Sequence, residues 1–290
     1  IERQYLMNFL SSVFNKILTQ LDKKRVNKFK TEQPLKPNLN SKTLVFAHRG
    51  SKSNNPENTL AAFREAIRVQ SDGIELDVHL SLDNELIIIH DEKIDRTTNG
   101  KGLVRKMTSA NIQKFDAGSW YHPNFADEKI PRLSEVLKLL TDLSFSGYLN
   151  IEIKTDKFNY PGIEKKLSEL MTESKWPFIY IYSSFNLQSL KRIHELEPKI
   201  EINYLTKNIL HLKKRQEGIL TDFITGIHPR RNYALKHPLL LKASNRPFRL
   251  WTVNQESEMR KAFQQNVAGI ITDYPEQALK IRQQIQEQPK

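Results

Sequence analysis

Glu75 and Asp77 stand one residue apart inside the apolar run "GIELDVHL", residues 73–80. Successive side chains of a strand point to opposite faces, so Glu75, Asp77 and His79 share one face and Ile74, Leu76 and Val78 the other. "NIEIK", residues 150–154, repeats the pattern with Glu152 and Lys154. His48 and Arg49 end the run "LVFAHR", and His90-Asp91 ends "ELIIIHD". Apolar strands do not carry so much charge unless it is paired, bound to metal, or used. Glu75, Asp77 and Glu152 offer hard oxygen ligands, and a chain without cysteine has no thiolate to add. One divalent cation, Mg2+ or Ca2+, is therefore favoured over zinc. His48 and His90, with ordinary imidazole pKa values of about 6.5, can act as acid and base at neutral pH. Bracketing a phosphorus centre, such a pair would deprotonate the nucleophile and protonate the leaving oxygen. Arg49 can clamp a phosphate bidentately, Lys154 supplies a point charge, and Gly50 lets the backbone turn tightly behind them.

These side chains need elements that converge. Short β-branched runs at 43–47, 73–79, 148–154, 178–183, 199–205, 222–227, 248–253 and 268–272 read as strands, with helical patterns at 59–70, 161–174, 186–195 and 257–265. Eight strands alternating with helices over about 250 residues predict a (β/α)8 TIM-type barrel, whose chemistry sits at the carboxyl ends of the strands. A doubly wound open sheet is the competitor, weakened by the absence of a glycine-rich dinucleotide fingerprint. One connection breaks the alternation. Only Leu82-Asp83-Asn84 separates the two strands of "GIELDVHLSLDNELIIIHD", too few residues for a parallel crossover, so an extra hairpin strand is expected. With Asp83-Asn84 as a two-residue turn, Asp77 would lie opposite His90. Residues 91–132 then form an excursion overhanging the active face.

Other polar and aromatic residues admit two roles each. Trp251 suits a substrate pocket or the core, and His79 suits an extra ligand or a supporting hydrogen bond. Glu57 is expected to order its loop. His228 and Asp273 lie at late strand ends. Phe115, Trp120, Tyr121 and Phe125 either cover a leaving group or pack the excursion.

Residues 1–41 carry eight Lys/Arg against three Asp/Glu, nearly half the excess behind the net charge of +12. They read as an N-terminal helical arm and basic linker, with the barrel domain spanning 42–290. The arm has an apolar stripe from Tyr5 to Leu21, a basic knot at 22–30 and a proline-bearing linker. The stripe would cover a neighbouring domain or a second copy in a homo-oligomer, or lie on an anionic membrane surface. Zinc-finger spacings and an RNP-like aromatic run are absent, which argues against nucleic acid as the partner of the positive charge. No run is long and apolar enough to span a membrane. The chain opens on Ile1, so an upstream signal peptide, membrane segment or further domain is expected. Membrane association through the arm or that segment is the expected localisation, with the cytoplasm as the alternative.

"AHRG", "PENTLAAF", "GIELDVHLSLDNELIIIHD", "DRTTNGKG", "IPRLSEVL", "NIEIK", "WTVN" and "GIITDYPE", in this order over about residues 43–280, closely resemble the glycerophosphodiester phosphodiesterases. The resemblance implies a TIM-type barrel with an excursion after the His-Asp pair. It also implies metal-dependent hydrolysis of glycerophosphodiesters to glycerol 3-phosphate and an alcohol. By position, it places metal ligands at Glu75, Asp77 and Glu152, acid/base histidines at His48 and His90, and phosphate contacts at Arg49 and Lys154. A cyclic phosphate formed by the glycerol's neighbouring hydroxyl is part of the implied route. Alternatives are a lysophospholipase D-type diesterase acting on membrane lysolipids, and a non-catalytic phosphate-binding module.

Overall fold

The computed structural model describes residues 42–207, 223–236 and 246–287. The N-terminal arm and knot expected within 1–41 lie outside the described residues, as does the start of the strand expected at 222. The strands are β1 (Leu44–His48), β2 (Gly73–Leu80), β3 (Leu86–Ile88), β4 (Tyr148–Ile153), β5 (Ile179–Ser184), β6 (Ile202–Thr206), β7 (Gly226–Pro229), β8 (Arg249–Leu250) and β9 (Gly269–Thr272). The helices are α1 (Leu60–Arg68), α2 (Ser109–Ile112), α3 (Leu133–Asp142), α4 (Ile163–Thr172), α5 (Leu187–Leu196), α6 (Arg231–Ala234), α7 (Glu256–Gln264) and α8 (Pro275–Gln286). Eight strands pair in parallel in the order β7-β6-β5-β4-β2-β1-β9-β8. Parallel bridges Ile227–Phe248 and Arg230–Trp251 join the two ends of that path. The result is the (β/α)8 barrel expected from the alternation. Among the described residues, no helix is long and apolar enough to cross a membrane.

Period-2 alternation sorts every barrel strand into two faces. Val45, Ala47, Ile74, Leu76, Val78, Leu149, Ile151, Ile153, Leu250 and Ile270 point outward into the main core, where they meet Phe63, Leu137, Leu167, Leu190, Met259 and Ile281 of the surrounding helices. Inside the barrel, Phe46, Ile181 and Ile271 form a separate apolar plug. The inward positions above that plug are where the charged side chains emerge.

The hairpin corrects one expectation. Val78 pairs with Ile88, His79 with Ile87 and Leu80 with Leu86, so Asp77 falls opposite Ile89 and not His90. The turn takes three residues: Ser81 N–H donates to Glu85 O at 2.9 Å, and Asn84 has φ 60°, the left-handed residue such loops require. Asp83 faces away to accept Ser109 N–H (2.8 Å) and Ser109 O–H (2.9 Å), tying the turn to the excursion. The excursion carries its own small core of Ile87, Ile89, Ile94, Val104, Ile112, Ala117 and Ile130, with Phe115 packed against it. Tyr121 O–H donates to Ser53 O at 2.6 Å and its ring meets Trp120 and Phe125 edge-on. These aromatics fasten the excursion to the loop after β1.

β7 sits later than the sequence suggests, and so His228 lies within the strand, fully buried. Its Nε2 is 3.5 Å from Arg249 Nη1, and Arg249 donates to Glu201 Oε1 (2.5 Å) and Asn203 Oδ1 (3.1 Å). Burial and then Arg249 hold the imidazole well below its ordinary pKa. Below about pH 6.5 the unfolded chain takes up a proton here that the folded chain refuses, so stability is lost as pH falls. The cost approaches ~1.4 kcal/mol per pH unit for one such group. Urea midpoints between pH 7.5 and 5 should therefore fall less steeply in His228→Gln than in the parent. Parallel curves would remove His228 from the acid sensitivity.

Candidate active site

The carboxyl ends of β1, β2 and β4, with the segments after β3 and β9, gather the charged residues at one rim. Register explains the gathering: His48 pairs with Glu75, Glu75 with Asn150, and Asp77 with Glu152. Each of these lies on an inward position. One carboxylate oxygen from each of Glu75, Asp77 and Glu152 falls within 4.8 Å of the others, and all three residues are buried. Burial, then Asp77 and Glu152, push the Glu75 carboxyl well above its ordinary pKa. Glu152 is raised by burial and Asp77 against the pull of Lys154. Asp77 is different. Burial alone would raise it, but Lys154 and Arg49 outweigh that and hold it low.

Three converging acidic oxygens, two of which resist ionisation, fit a hard divalent cation that would supply the missing positive charge. The Asn150 side chain lies beside them in the ladder. Its Oδ1 is buried without a hydrogen-bond partner among the described residues, a further oxygen suited to a cation or its water.

Arg49 is held on three sides. Its backbone N–H donates to Glu75 Oε2 (2.9 Å), Nη1 donates to Glu57 Oε1 (2.8 Å), and Nε lies 3.3 Å from Asp77 Oδ2. Its φ of 58° is unusual for a side chain of this size, a strained backbone kept by those contacts. Asn58, at φ 56°, donates to Asp77 Oδ2 at 2.9 Å. Between them Gly50 has φ 80°, and a Cβ there would sit 2.7 Å from the Ala62 carbonyl carbon. The tight turn expected of Gly50 is thus also a close approach to α1. Lys154 Nζ reaches Glu152 Oε1 (2.8 Å) and Asp77 Oδ1 (3.6 Å).

Each histidine is backed by a carboxylate. His48 Nδ1 meets Asp273 Oδ1 at 2.5 Å, and Asp273 is steadied by Asn254 Nδ2 (2.8 Å) and Lys52 (3.5 Å). Burial and then Arg49 lower the His48 pKa although Asp273 pulls it up. His90 Nδ1 meets Asp91 Oδ1 at 2.6 Å. A carboxylate at Nδ1 places the proton there and leaves Nε2 for other work. His79 spends both ring nitrogens, on Tyr160 O–H (2.8 Å) and on the His90 carbonyl (3.1 Å). It supports His90 and has no nitrogen left for a metal.

His48, Arg49, Glu75, His90, Asn150, Glu152 and Lys154 line one cavity together with Phe185, Leu205, Trp251, Thr252 and Ile271. The charged lining comes from one arc of the barrel, the ends of β1, β2 and β4 together with His90 after β3. Phe185, Leu205, Trp251 and Thr252 come from the ends of β5, β6 and β8 across from it. Trp251 is a wall residue whose indole N–H is bound to the His228 carbonyl at 2.6 Å and whose ring meets Phe185 edge-on. Phe115, Trp120, Tyr121 and Phe125 do not line this cavity. A larger groove between α1, the excursion and α3 holds none of the residues above. Strand periodicity marks neither Arg96 nor Asn254, and it leaves Asp273 at a late strand end without naming His48 as its partner. The Asp-Arg pair in "DRTTNGKG" and the Asn of "WTVN" were the available signals.

The chain matches the Glycerophosphoryl diester phosphodiesterase family over residues 48–277. It is 42% identical over 240 residues to a glycerophosphodiester phosphodiesterase of Caldanaerobacter subterraneus subsp. tengcongensis, covering 81% of this chain and 96% of that one. It is 39% identical over 246 residues to that of Bacillus altitudinis, covering 84% and 99%. Among solved structures, a phosphodiesterase of Oleispira antarctica in complex with the product sn-glycerol-3-phosphate superposes with a TM-score of 0.73 at 30% identity, covering 83% of this chain and 96% of that one. With the match running from the tip of β1 into α8, this chain belongs to the glycerophosphoryl diester phosphodiesterase family and is a phosphodiester hydrolase.

Proposed function

We propose that this protein hydrolyses glycerophosphodiesters to glycerol 3-phosphate and an alcohol through a cyclic phosphate, with His48 and His90 as the acid/base pair. One observation carries the reading: two imidazoles, each backed at Nδ1 by a carboxylate, line the same cavity as Glu75 and Glu152 of the acidic cluster. Glu75, Asp77 and Glu152 would hold one Mg2+ or Ca2+, which when bound supplies positive charge to the phosphoryl and hydroxyl oxygens. Arg49 and Lys154 flank the cluster and bind the phosphate oxygens. In the first step one imidazole takes the proton of the glycerol hydroxyl as its oxygen bonds to phosphorus. The other gives its proton to the departing alcohol oxygen as that P–O bond breaks. In the second step the roles reverse, and water opens the ring. Both histidines return to their starting charge.

The Oleispira protein was solved with sn-glycerol-3-phosphate, the product expected here. The test is a panel of glycerophosphodiesters and micellar lysophosphatidylcholine, assayed with and without chelator. Release of glycerol 3-phosphate from glycerophosphocholine, abolished by EDTA and restored by Mg2+ or Ca2+, is the expected outcome. Faster cleavage of the lysolipid would instead favour a lysophospholipase D, and binding without turnover a phosphate-binding module.

A further inference from the structure

Arg96 lies in the excursion, five residues beyond Asp91, and its guanidinium spans two carboxylates. Nε donates to Asp91 Oδ2 at 2.7 Å, while Nη1 and Nη2 donate to Glu57 Oε2 (3.0 Å) and Oε1 (2.7 Å). The other oxygen of Asp91 holds His90 Nδ1, and Glu57 Oε1 also accepts from Arg49. His90, Asp91, Arg96, Glu57 and Arg49 therefore form one continuous chain of charge-assisted contacts across the rim. We infer that Arg96 is a positioning residue for His90: by fixing the plane of the Asp91 carboxylate it fixes the orientation and tautomer of the imidazole.

A carboxylate turns easily about its last torsion. Asp91 is about one-third exposed, so burial alone holds the plane of its carboxylate loosely. The bond from Arg96 fixes that plane, because a rigid planar fork anchored on buried Glu57 leaves Nε one direction in which to donate. Arg96 is itself 44% exposed and lines no part of the cavity. Its removal opens no core void, and Glu57 keeps Arg49 and Lys52 as counter-charges. Loss of Arg96 should thus reach the reaction through His90 and leave substrate binding in place.

This inference rests on the acid/base reading of His90, and a double-mutant cycle separates the two. On glycerophosphocholine, Arg96→Ala should lower kcat by on the order of 10–100-fold with KM changed less than about threefold. In a His90→Ala background, assayed on the same substrate, the same substitution should cost less than about twofold. Millimolar guanidinium should restore part of the turnover of Arg96→Ala and none of the double variant. Equal losses in both backgrounds, or a loss confined to KM, would overturn the positioning role. Full turnover in His90→Ala alone would instead overturn the reading of His90. Should Arg96→Ala fail to fold, Arg96→Lys enters the cycle with the same expectations, since a single ammonium cannot span both carboxylates.

Discussion

Glu75→Gln is expected to abolish turnover and at the same time stabilise the metal-free protein. The first effect follows from the cluster. Losing one of the three proposed ligands would weaken the hold on a cation, and a bound cation contributes several kcal/mol to phosphoryl chemistry, so kcat/KM should fall by at least ~10³-fold. Titration calorimetry with Ca2+ should show the matching loss of affinity. The second effect follows from the crowding of like charge. Glu75 is pushed up by burial and by Asp77 and Glu152, so an uncharged isostere relieves repulsion while still accepting the Arg49 N–H. A gain of about 1–2 kcal/mol at neutral pH is expected without metal. Asp77→Asn should also lose activity but move stability the other way, by about 3 kcal/mol, because Arg49 and Lys154 depend on that charge. Chemical denaturation of the two variants in EDTA distinguishes them. Equal shifts of the same sign would show that the two carboxylates are not electrostatically distinct.

His48→Ala and His90→Ala should each reduce kcat on glycerophosphocholine by about 10²–10⁴-fold with little change in KM, the range for removing a general acid or base. The informative comparison changes the leaving group. From a glycerol phosphodiester of p-nitrophenol the nitrophenolate ion departs without protonation, so the variant lacking the first-step acid should recover much of its loss on that substrate. The variant lacking the base should not. Because both imidazoles are backed by carboxylates at Nδ1, neither is marked out by its partner, and this experiment assigns the roles. Recovery by both variants, or by neither, would contradict a division of labour between them.

The parts of this site that strand periodicity governs are legible in the sequence alone. Alternation along 73–79 and 150–154 puts Glu75, Asp77, Glu152 and Lys154 on inward positions, and the ladder aligns them as expected. The hairpin register was harder. Two- and three-residue turns fit "SLDNE" equally, and the choice rests on Asn84 adopting φ 60° and Asp83 binding Ser109, a contact 26 residues away. Arg96 and Asn254 are hard to read for the same reason: their partners, Glu57 and Asp273, come from distant loops, and the runs "DRTTNGKG" and "WTVN" that hold them do not name those partners. The β7 boundary moved because 222–227 and 226–229 are both β-branched and apolar enough to extend, and pairing with Asn203 through Thr206 decides it.

The split lining of the cavity bears on how such an enzyme diversifies. Titratable side chains occupy the β1-β2-β4 arc, with His90 after β3, and are locked by mutual contacts, so exchanges among them are expected to cost turnover. Phe185, Leu205, Trp251 and Thr252 on the facing arc carry no charge, and a library confined to them would reshape that wall without touching the proposed acid/base and metal-binding groups.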